Sequence, residues 1–319
     1  MDAQVAARPT KLAVIGAGSV GVAIAYAALI RGSADSVALH DLDRARVEAE
    51  VLDLAHGLPF LAGTRVHGGD DIRVIAQSDI VVVTAGAKQR PGETRLALAG
   101  RNAEILRQVM PGIREHAPDA IVLLVTNPCD VLTVIAQREG GMAPGRVLSS
   151  GTVLDSSRLR WRLSELVGVH PRSVHAHMIG EHGDSEFPLW SRARIGPVLV
   201  SEWREGGQLR FDRTALDGIA DDVVHAAYRI IEGKGATSSA IGVATARIVE
   251  SILGDEHAVL PVSSVLSGQH GIDGIALSLP TVVGRAGIER VLEVPMDDDE
   301  LGALHRSAEA IAASLASTA

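Results

Sequence analysis

The chain has 319 residues, enough for one large or two medium domains, and 46% of them are hydrophobic, which is ample for a buried core. Its net charge of −9 and its pI of about 5.7 argue against a nucleic-acid-binding or membrane-binding surface, since both need clustered lysine and arginine. Cys129 is the single cysteine, so no intramolecular disulfide can form, and we expect a cytoplasmic protein.

The first half of the chain alternates short apolar runs with helical patterns. Strands are predicted at residues 11–15, 36–40, 65–68, 80–84, 121–125 and 146–149. Helices are predicted at residues 20–30 and 96–115. A further helix is predicted to begin after Asp43, which would cap its N-terminus. Buried β-branched runs separated by helices indicate an α/β fold with a parallel sheet that is covered on both faces.

The second half of the chain has a different pattern. Helices are predicted at about 153–166, 215–232 and 238–253, and antiparallel strands at 259–266 and 274–280. The last helix has Asp297 as its cap and Glu300 three residues later, which is a capping-box pattern. We therefore expect a mixed α+β substrate domain at 152–319 after a dinucleotide-binding domain at 10–151.

A glycine-rich turn lies between the first strand and the first helix. Gly16-Ala-Gly-Ser-Val-Gly21 has the pattern G-x-G-x-x-G. Gly16 permits a tight turn, Gly18 lets a pyrophosphate approach the backbone, and Gly21 lets helix and strand pack closely. The helix N-terminus at Ser19 and Val20 would face the phosphates.

Asp41 ends the second predicted strand, twenty residues after Gly21. A carboxylate at this position accepts hydrogen bonds from the ribose hydroxyls of NAD and repels a 2′-phosphate. Arg44 and Arg46 leave room for NADP, but they lie beyond the strand end. The sequence therefore predicts a Rossmann-type doubly wound sheet that binds NAD.

Asp155, Arg158 and Arg160 share a predicted helix. Asp155 and Arg158 are three residues apart and lie on one face, whereas Arg160 is turned roughly to the opposite side. Downstream, His182 lies between two glycines, and an imidazole exchanges protons near neutral pH. A surface ion pair on a solvated helix is the alternative interpretation of Asp155 and Arg158.

Four linked motifs carry a resemblance to a known family. The segments Ala85–Arg95, Thr126–Pro128, Gly151–Arg158 and Ile179–Asp184 closely resemble, in order and spacing, the L-lactate/L-malate dehydrogenase family. The resemblance extends from about Lys11 to Leu315. It implies an NAD-dependent 2-hydroxy acid dehydrogenase.

The resemblance also implies a role for each site residue. His182 would donate or accept the substrate proton, and Asp155 would orient its ring. Arg158 would hold the substrate carboxylate with two parallel hydrogen bonds. Arg95 would polarise the reacting C–O bond from a mobile loop at Ala87–Arg95.

Further family positions concern the substrate. Asn127 matches a residue that contacts substrate at the nicotinamide end of NAD, and Thr237 matches one that lines the substrate pocket. Gln89 occupies the position at which similar malate enzymes carry an arginine and similar lactate enzymes a glutamine. The resemblance therefore implies pyruvate and L-lactate as substrates. A malate dehydrogenase and a non-catalytic NAD-binding protein are the alternatives.

The resemblance points to a second, regulatory site. In bacterial members that respond to fructose 1,6-bisphosphate, an arginine and a histidine hold its phosphates between subunits, and here these are Arg160 and His175. Such a site needs an oligomer, and the family tendency is a homotetramer. We see no cluster with metal-ligand spacing in the sequence and expect no metal site.

Overall fold

The computed structural model describes residues 8–61, 63–87 and 95–318, and for residues 95–97 it describes the backbone alone. The helices are α1 (Ser19–Arg31), α2 (Arg44–Gly57), α3 (Arg95–His116), α4 (Cys129–Glu139), α5 (Val153–Val167), α6 (Arg213–Val224), α7 (Ala226–Lys234), α8 (Ser239–Leu253) and α9 (Asp298–Ala316). Asp43 caps α2, and Asp297 with Glu300 forms the predicted capping box at the start of α9. None of these described helices is both long and apolar enough to cross a bilayer.

The strands follow the same chain order. They are β1 (Lys11–Ile15), β2 (Ser36–His40), β3 (Arg65–Gly69), β4 (Ile80–Val83), β5 (Ile121–Leu124), β6 (Val147–Ser149), β7 (Val174–His175), β8 (Met178–Ile179), β9 (Phe187–Pro188), β10 (Arg194–Ile195), β11 (Val198–Leu199), β12 (Arg204–Glu205), β13 (Gln208–Leu209), β14 (Ala258–Leu260), β15 (Ser263–Ser267), β16 (Asp273–Ser278), β17 (Thr281–Gly284) and β18 (Gly287–Val291).

The main sheet has the strand order β16-β15-β6-β5-β4-β1-β2-β3. The six strands β1 to β6 pair in parallel, and the chain reverses its direction of winding between β1 and β4. Side chains alternate between two apolar clusters: Val81 and Val83 of β4 join one, and Ile80 and Val82 join the other. The predicted Rossmann-type doubly wound sheet is thus confirmed, and its reversal point is where such folds bind ligands.

Two strands from the second half extend this sheet on the side of β6. β15 pairs antiparallel with β6 and with β16, so the whole sheet is mixed rather than purely parallel. The single strand predicted at 259–266 is wrong, because Pro261 separates β14 from β15. Proline lacks the N–H that a continuous ladder requires, and the two strands join different sheets.

Two helical features also differ from the predictions. The helix predicted at 215–232 divides at His225, where the His225 ring contacts the Asp221 carbonyl and Arg229 donates to the Asp222 carbonyl. These side chains satisfy carbonyls at the end of α6. The sequence pattern did not predict α4, because its first eight residues are all buried and leave no apolar stripe against a polar face.

Candidate active site

The glycine turn between β1 and α1 has the shape that a dinucleotide requires. Gly16 has a φ of 107°, and a Cβ there would lie 2.7 Å from the Thr84 hydroxyl. A Cβ at Gly21 would lie 1.9 Å from the Gly16 carbonyl oxygen, so only glycine permits this contact. A Cβ at Gly18 would meet nothing within 4 Å, which leaves that backbone open to an approaching phosphate.

The N-terminus of α1 completes this phosphate cradle. Gly18 is the N-cap and provides no side-chain cap for the helix. The first amides of the helix, at Ser19 and Val20, have no intrahelical acceptor and are available to an anion. The predicted phosphate-contacting residues therefore lie together at one helix end.

Asp41 follows β2 and lies beside the same turn. Its Oδ2 accepts a hydrogen bond of 2.7 Å from the Ala17 amide, and its Oδ1 accepts one of 3.0 Å from the Asp43 amide. The carboxylate is therefore fixed next to the glycine turn. Arg44 and Arg46 are exposed and pair with Glu48 and Asp43, as expected for solvent-facing residues. The cradle fits NAD and offers no prepared cation for a 2′-phosphate among these residues.

A histidine and an aspartate meet at the start of the second half. Asp155 lies in the first turn of α5, and His182 follows β8. His182 Nδ1 lies 2.8 Å from Asp155 Oδ2; the Asp155 side chain is only 2% exposed and the imidazole 25%. The structure thus brings together the two residues that the sequence placed 27 positions apart.

The charges of this pair stabilise each other. Burial alone would lower the pKa of His182, but the Asp155 and Glu186 carboxylates outweigh burial and hold that pKa well above its usual value. Burial would raise the pKa of Asp155, but the His182 and Arg158 charges hold it below its usual value. The geometry therefore favours an imidazolium beside an ionised aspartate.

Arg158 lies on the same face of α5 as Asp155, as the helical spacing predicts. Its Nη1 donates to Asp155 Oδ1, and its side chain is 15% exposed. The i,i+3 ion pair therefore forms, but it is largely buried and not part of a solvated helix. One side of the guanidinium holds the aspartate that contacts His182, so Arg158 and His182 are fixed relative to each other.

Asp130 is a site residue that sequence reasoning missed. It is buried in the first turn of α4, and its Oδ2 accepts a hydrogen bond of 2.7 Å from the His182 amide. Burial raises the pKa of Asp130 to about 6. This contact fixes the backbone that carries the imidazole. A carboxylate within an otherwise apolar segment was the only sequence signal for it.

Asn102 is a second missed residue, and it joins Ala87 to Asn127. Its side-chain oxygen accepts from the Ala87 amide at 2.7 Å, and its amide nitrogen donates to the Asn127 carbonyl at 2.7 Å. The signal was a single asparagine on the buried face of α3, between Ala99 and Leu106. Asn127 itself is exposed just after β5, so its side chain is accessible to a ligand.

Two predicted substrate-contacting residues of the segment 87–95 are only partly covered by the structure. Gln89 lies outside the described residues. Arg95 begins α3, and its side chain also lies outside the described part of the chain. Their predicted contacts with substrate remain predictions.

The remaining predicted residues lie in the second half. Thr237 is half-buried and lies two residues before α8, whose N-cap is Ser238. Arg160 is half-buried, and its Nε has no hydrogen-bond partner among the described residues. His175 is exposed at the end of β7. Burial and the charges of Arg160 and His175 lower the pKa of His177 to about 4, so His177 is neutral near pH 7 beside the Arg160 guanidinium.

Two groups of potential metal ligands occur among the described residues, although the sequence spacing did not reveal them. One consists of Asp155, His182 and Glu186, and the other of the exposed residues Asp255, His257 and Glu289. The first is the ion-pair network described above, in which Asp155 already holds His182 and Arg158. We assign no metal to either group.

Comparison with known proteins agrees with this geometry. Residues 10–149 match the model of the lactate/malate dehydrogenase NAD-binding domain, and residues 152–319 match that of the lactate/malate dehydrogenase alpha/beta C-terminal domain. The L-lactate dehydrogenase of Synechococcus sp. (strain JA-3-3Ab) is 49% identical over 300 residues, which cover 93% of this chain and 96% of that protein. The L-lactate dehydrogenase of Bifidobacterium animalis subsp. lactis (strain AD011) is 46% identical over 305 residues, 95% of each chain.

Solved structures give the same result. The minor L-lactate dehydrogenase from Enterococcus mundtii, in a ligand-bound form, superposes with a TM-score of 0.93 at 36% identity and covers 97% of this chain and 98% of its own. A lactate dehydrogenase from a Medee basin deep-sea metagenome library also has a TM-score of 0.93, at 35% identity, with coverage of 98% and 99%.

Proposed function

We propose, starting from the fact that this chain belongs to the lactate/malate dehydrogenase family, that it interconverts pyruvate and L-lactate with NAD. The observation that carries the proposal is the 2.8 Å contact between His182 Nδ1 and a buried Asp155. This contact places an imidazole that can exchange a proton beside an acidic partner. The cofactor is NAD, whose nicotinamide supplies or accepts the hydride when it is bound.

We infer the proton-transferring atom from the direction of the His182 ring. Since Nδ1 faces Asp155, Nε2 is the nitrogen left to exchange a proton with the substrate oxygen. In pyruvate reduction the imidazolium gives up this proton, and Asp155 stabilises its charged form beforehand. In lactate oxidation the neutral ring accepts the hydroxyl proton.

The other site residues would bind and orient the substrate. Arg158 would hold the substrate carboxylate, which fixes the 2-carbon at a constant distance from His182. Arg95 would polarise the C–O bond, and Asn127 and Thr237 would contact the substrate from two sides. We further propose that residues 10–151 bind NAD while residues 152–319 supply most of the substrate site.

Gln89 favours pyruvate over oxaloacetate. Oxaloacetate has a second carboxylate, and glutamine cannot neutralise it. An unpaired charge in a closed pocket costs roughly 3–5 kcal/mol, which corresponds to roughly two to nearly four orders of magnitude in preference. The purified protein should therefore show a kcat/KM for pyruvate at least about a hundredfold above that for oxaloacetate, measured as NADH oxidation at 340 nm. Comparable kcat/KM values for the two acids would favour a malate dehydrogenase. If neither acid were turned over, the result would favour a non-catalytic NAD-binding protein.

We also propose that fructose 1,6-bisphosphate activates the enzyme through Arg160 and His175, in a homotetramer located in the cytoplasm. The support is the Arg160 guanidinium, which lies on the side of α5 away from Arg158 and has His175 and His177 near it. A half-buried arginine whose Nε has no partner among the described residues is suited to a phosphate group.

The bisphosphate should lower the KM for pyruvate, and an Arg160→Ala, His175→Ala double variant should lose this response. Initial rates at varied pyruvate, with and without the effector, measure both effects. Arg213→Ala is the control, because Arg213 is an exposed arginine on α6 that pairs with Asp217. An unchanged pyruvate KM in the wild type, at both pH 6 and pH 7.5, would contradict the regulatory proposal.

A further inference from the structure

A second carboxyl group approaches the same nitrogen of His182. Glu186 lies four residues after His182, and a turn closed by the Glu186 amide and the Gly183 carbonyl (3.3 Å) folds the chain back. Its Oε2 lies 3.7 Å from His182 Nδ1, and the Glu186 side chain is 3% exposed. Like Asp155 Oδ2 and His182 Nδ1, this oxygen has no hydrogen-bond partner among the described residues, so its contact with the ring is electrostatic. The family resemblance assigned no role to this residue.

Charged and titratable groups from two helices surround this carboxyl. Asp155 and Arg158 face it from α5, Cys129 and Asp130 approach the imidazole from α4, and Glu181 lies on the same loop. A second ionised carboxylate so close to Asp155 is unfavourable in a buried site. Burial and the charge of Asp155 raise the pKa of Glu186 to about 8. Near pH 7 Asp155 is therefore ionised while Glu186 is largely neutral.

We propose that Glu186 is a positioning residue that lies beside His182 Nδ1 together with Asp155 and sets the pH range in which the imidazolium persists. The proposal rests on the proposed role of His182 in pyruvate reduction. With two carboxyl groups close to Nδ1, the ring keeps Nε2 toward the substrate. When Glu186 loses its proton, a second negative charge helps His182 keep its own.

The sign of the effect follows from the charges. A negative charge beside an imidazolium raises the pKa of the imidazole, so removing that charge lowers it. Pyruvate reduction needs the imidazolium, and its rate falls once His182 is deprotonated. A variant without the Glu186 charge should therefore lose activity at a lower pH than the wild type.

The test compares Glu186→Gln with the wild type. The alkaline limb of the pH profile of kcat/KM for pyruvate should move to lower pH by roughly one unit in the variant. Glu181→Gln is the control, because it makes the same change on the same loop. The Glu181 carboxylate accepts a hydrogen bond from Ser185 and does not contact the His182 ring. The alkaline limb of this variant's pH profile should therefore stay where it is in the wild type. A uniform loss of activity across all pH values, with the limb unmoved, would indicate a packing role and overturn the proposal.

An NMR titration of the free enzyme gives a readout that does not depend on turnover. The His182 ring signal, assigned by its absence in His182→Asn, should titrate in two steps in the wild type, one of them near the Glu186 pKa of about 8. A single step overturns the proposal even where Glu186→Gln does not fold. Two steps in an enzyme that does not reduce pyruvate would uphold the coupling and refute the proposed function instead.

Discussion

Replacing His182 by asparagine should lower kcat/KM for pyruvate by roughly 10²–10⁴-fold, the usual contribution of a positioned acid or base. Asparagine has similar size and polarity, but it cannot release a proton to the substrate oxygen. The loss should appear in single-turnover NADH oxidation, because the variant changes the chemical step. NADH affinity, measured by fluorescence titration, should stay the same, since the glycine turn follows β1 and Asp41 follows β2, whereas His182 follows β8.

The matched control for this prediction is His257→Asn. His257 is an exposed histidine paired with Glu289, and its φ of 50° is in the left-handed region that asparagine readily adopts. This variant should retain wild-type activity. If His182→Asn kept more than about a tenth of the wild-type kcat/KM, the proton would come from another group and the assignment of His182 would fail.

The main features of the fold were predictable because local patterns encode them. The buried runs of β1, β2, β4 and β5 are short, largely apolar and bounded by turn residues. The pairing of β15 with β6 was not predictable, because an apolar run does not specify which sheet it joins or in which direction. The helix α4 was missed for a related reason, since a helix buried on all sides near its start has no amphipathic period.

The active site was predictable only in part, and the difference lies in sequence distance and context. Asp155 and Arg158 share a helix face, which spacing alone indicates. Asp130 is 52 positions from His182, and only the tertiary structure brings its carboxylate to the His182 amide. Glu186 lies in a loop rich in polar residues, which is typical of a solvated surface, and its burial depends on packing that no local pattern records.

The second large effect concerns specificity at Gln89. A Gln89→Arg variant should raise kcat/KM for oxaloacetate by roughly two to nearly four orders of magnitude, because the guanidinium would pair the carboxylate that glutamine leaves uncompensated. The kcat/KM for pyruvate should fall at the same time, since a methyl group cannot satisfy a cation in the closed pocket. Rates of NADH oxidation with each acid give the ratio of kcat/KM for oxaloacetate to kcat/KM for pyruvate.

The neighbouring positions provide the control that defines which residue of this segment reaches the substrate. Lys88 and Arg90 flank Gln89, and a shift of one residue would already place a cation in the pocket. In that case Gln89→Arg would change the ratio little, and the wild type would turn over oxaloacetate well. Lys88→Gln and Arg90→Gln should leave the preference for pyruvate intact. A loss of oxaloacetate activity in either of them, with Gln89→Arg silent, would move the specificity position away from Gln89.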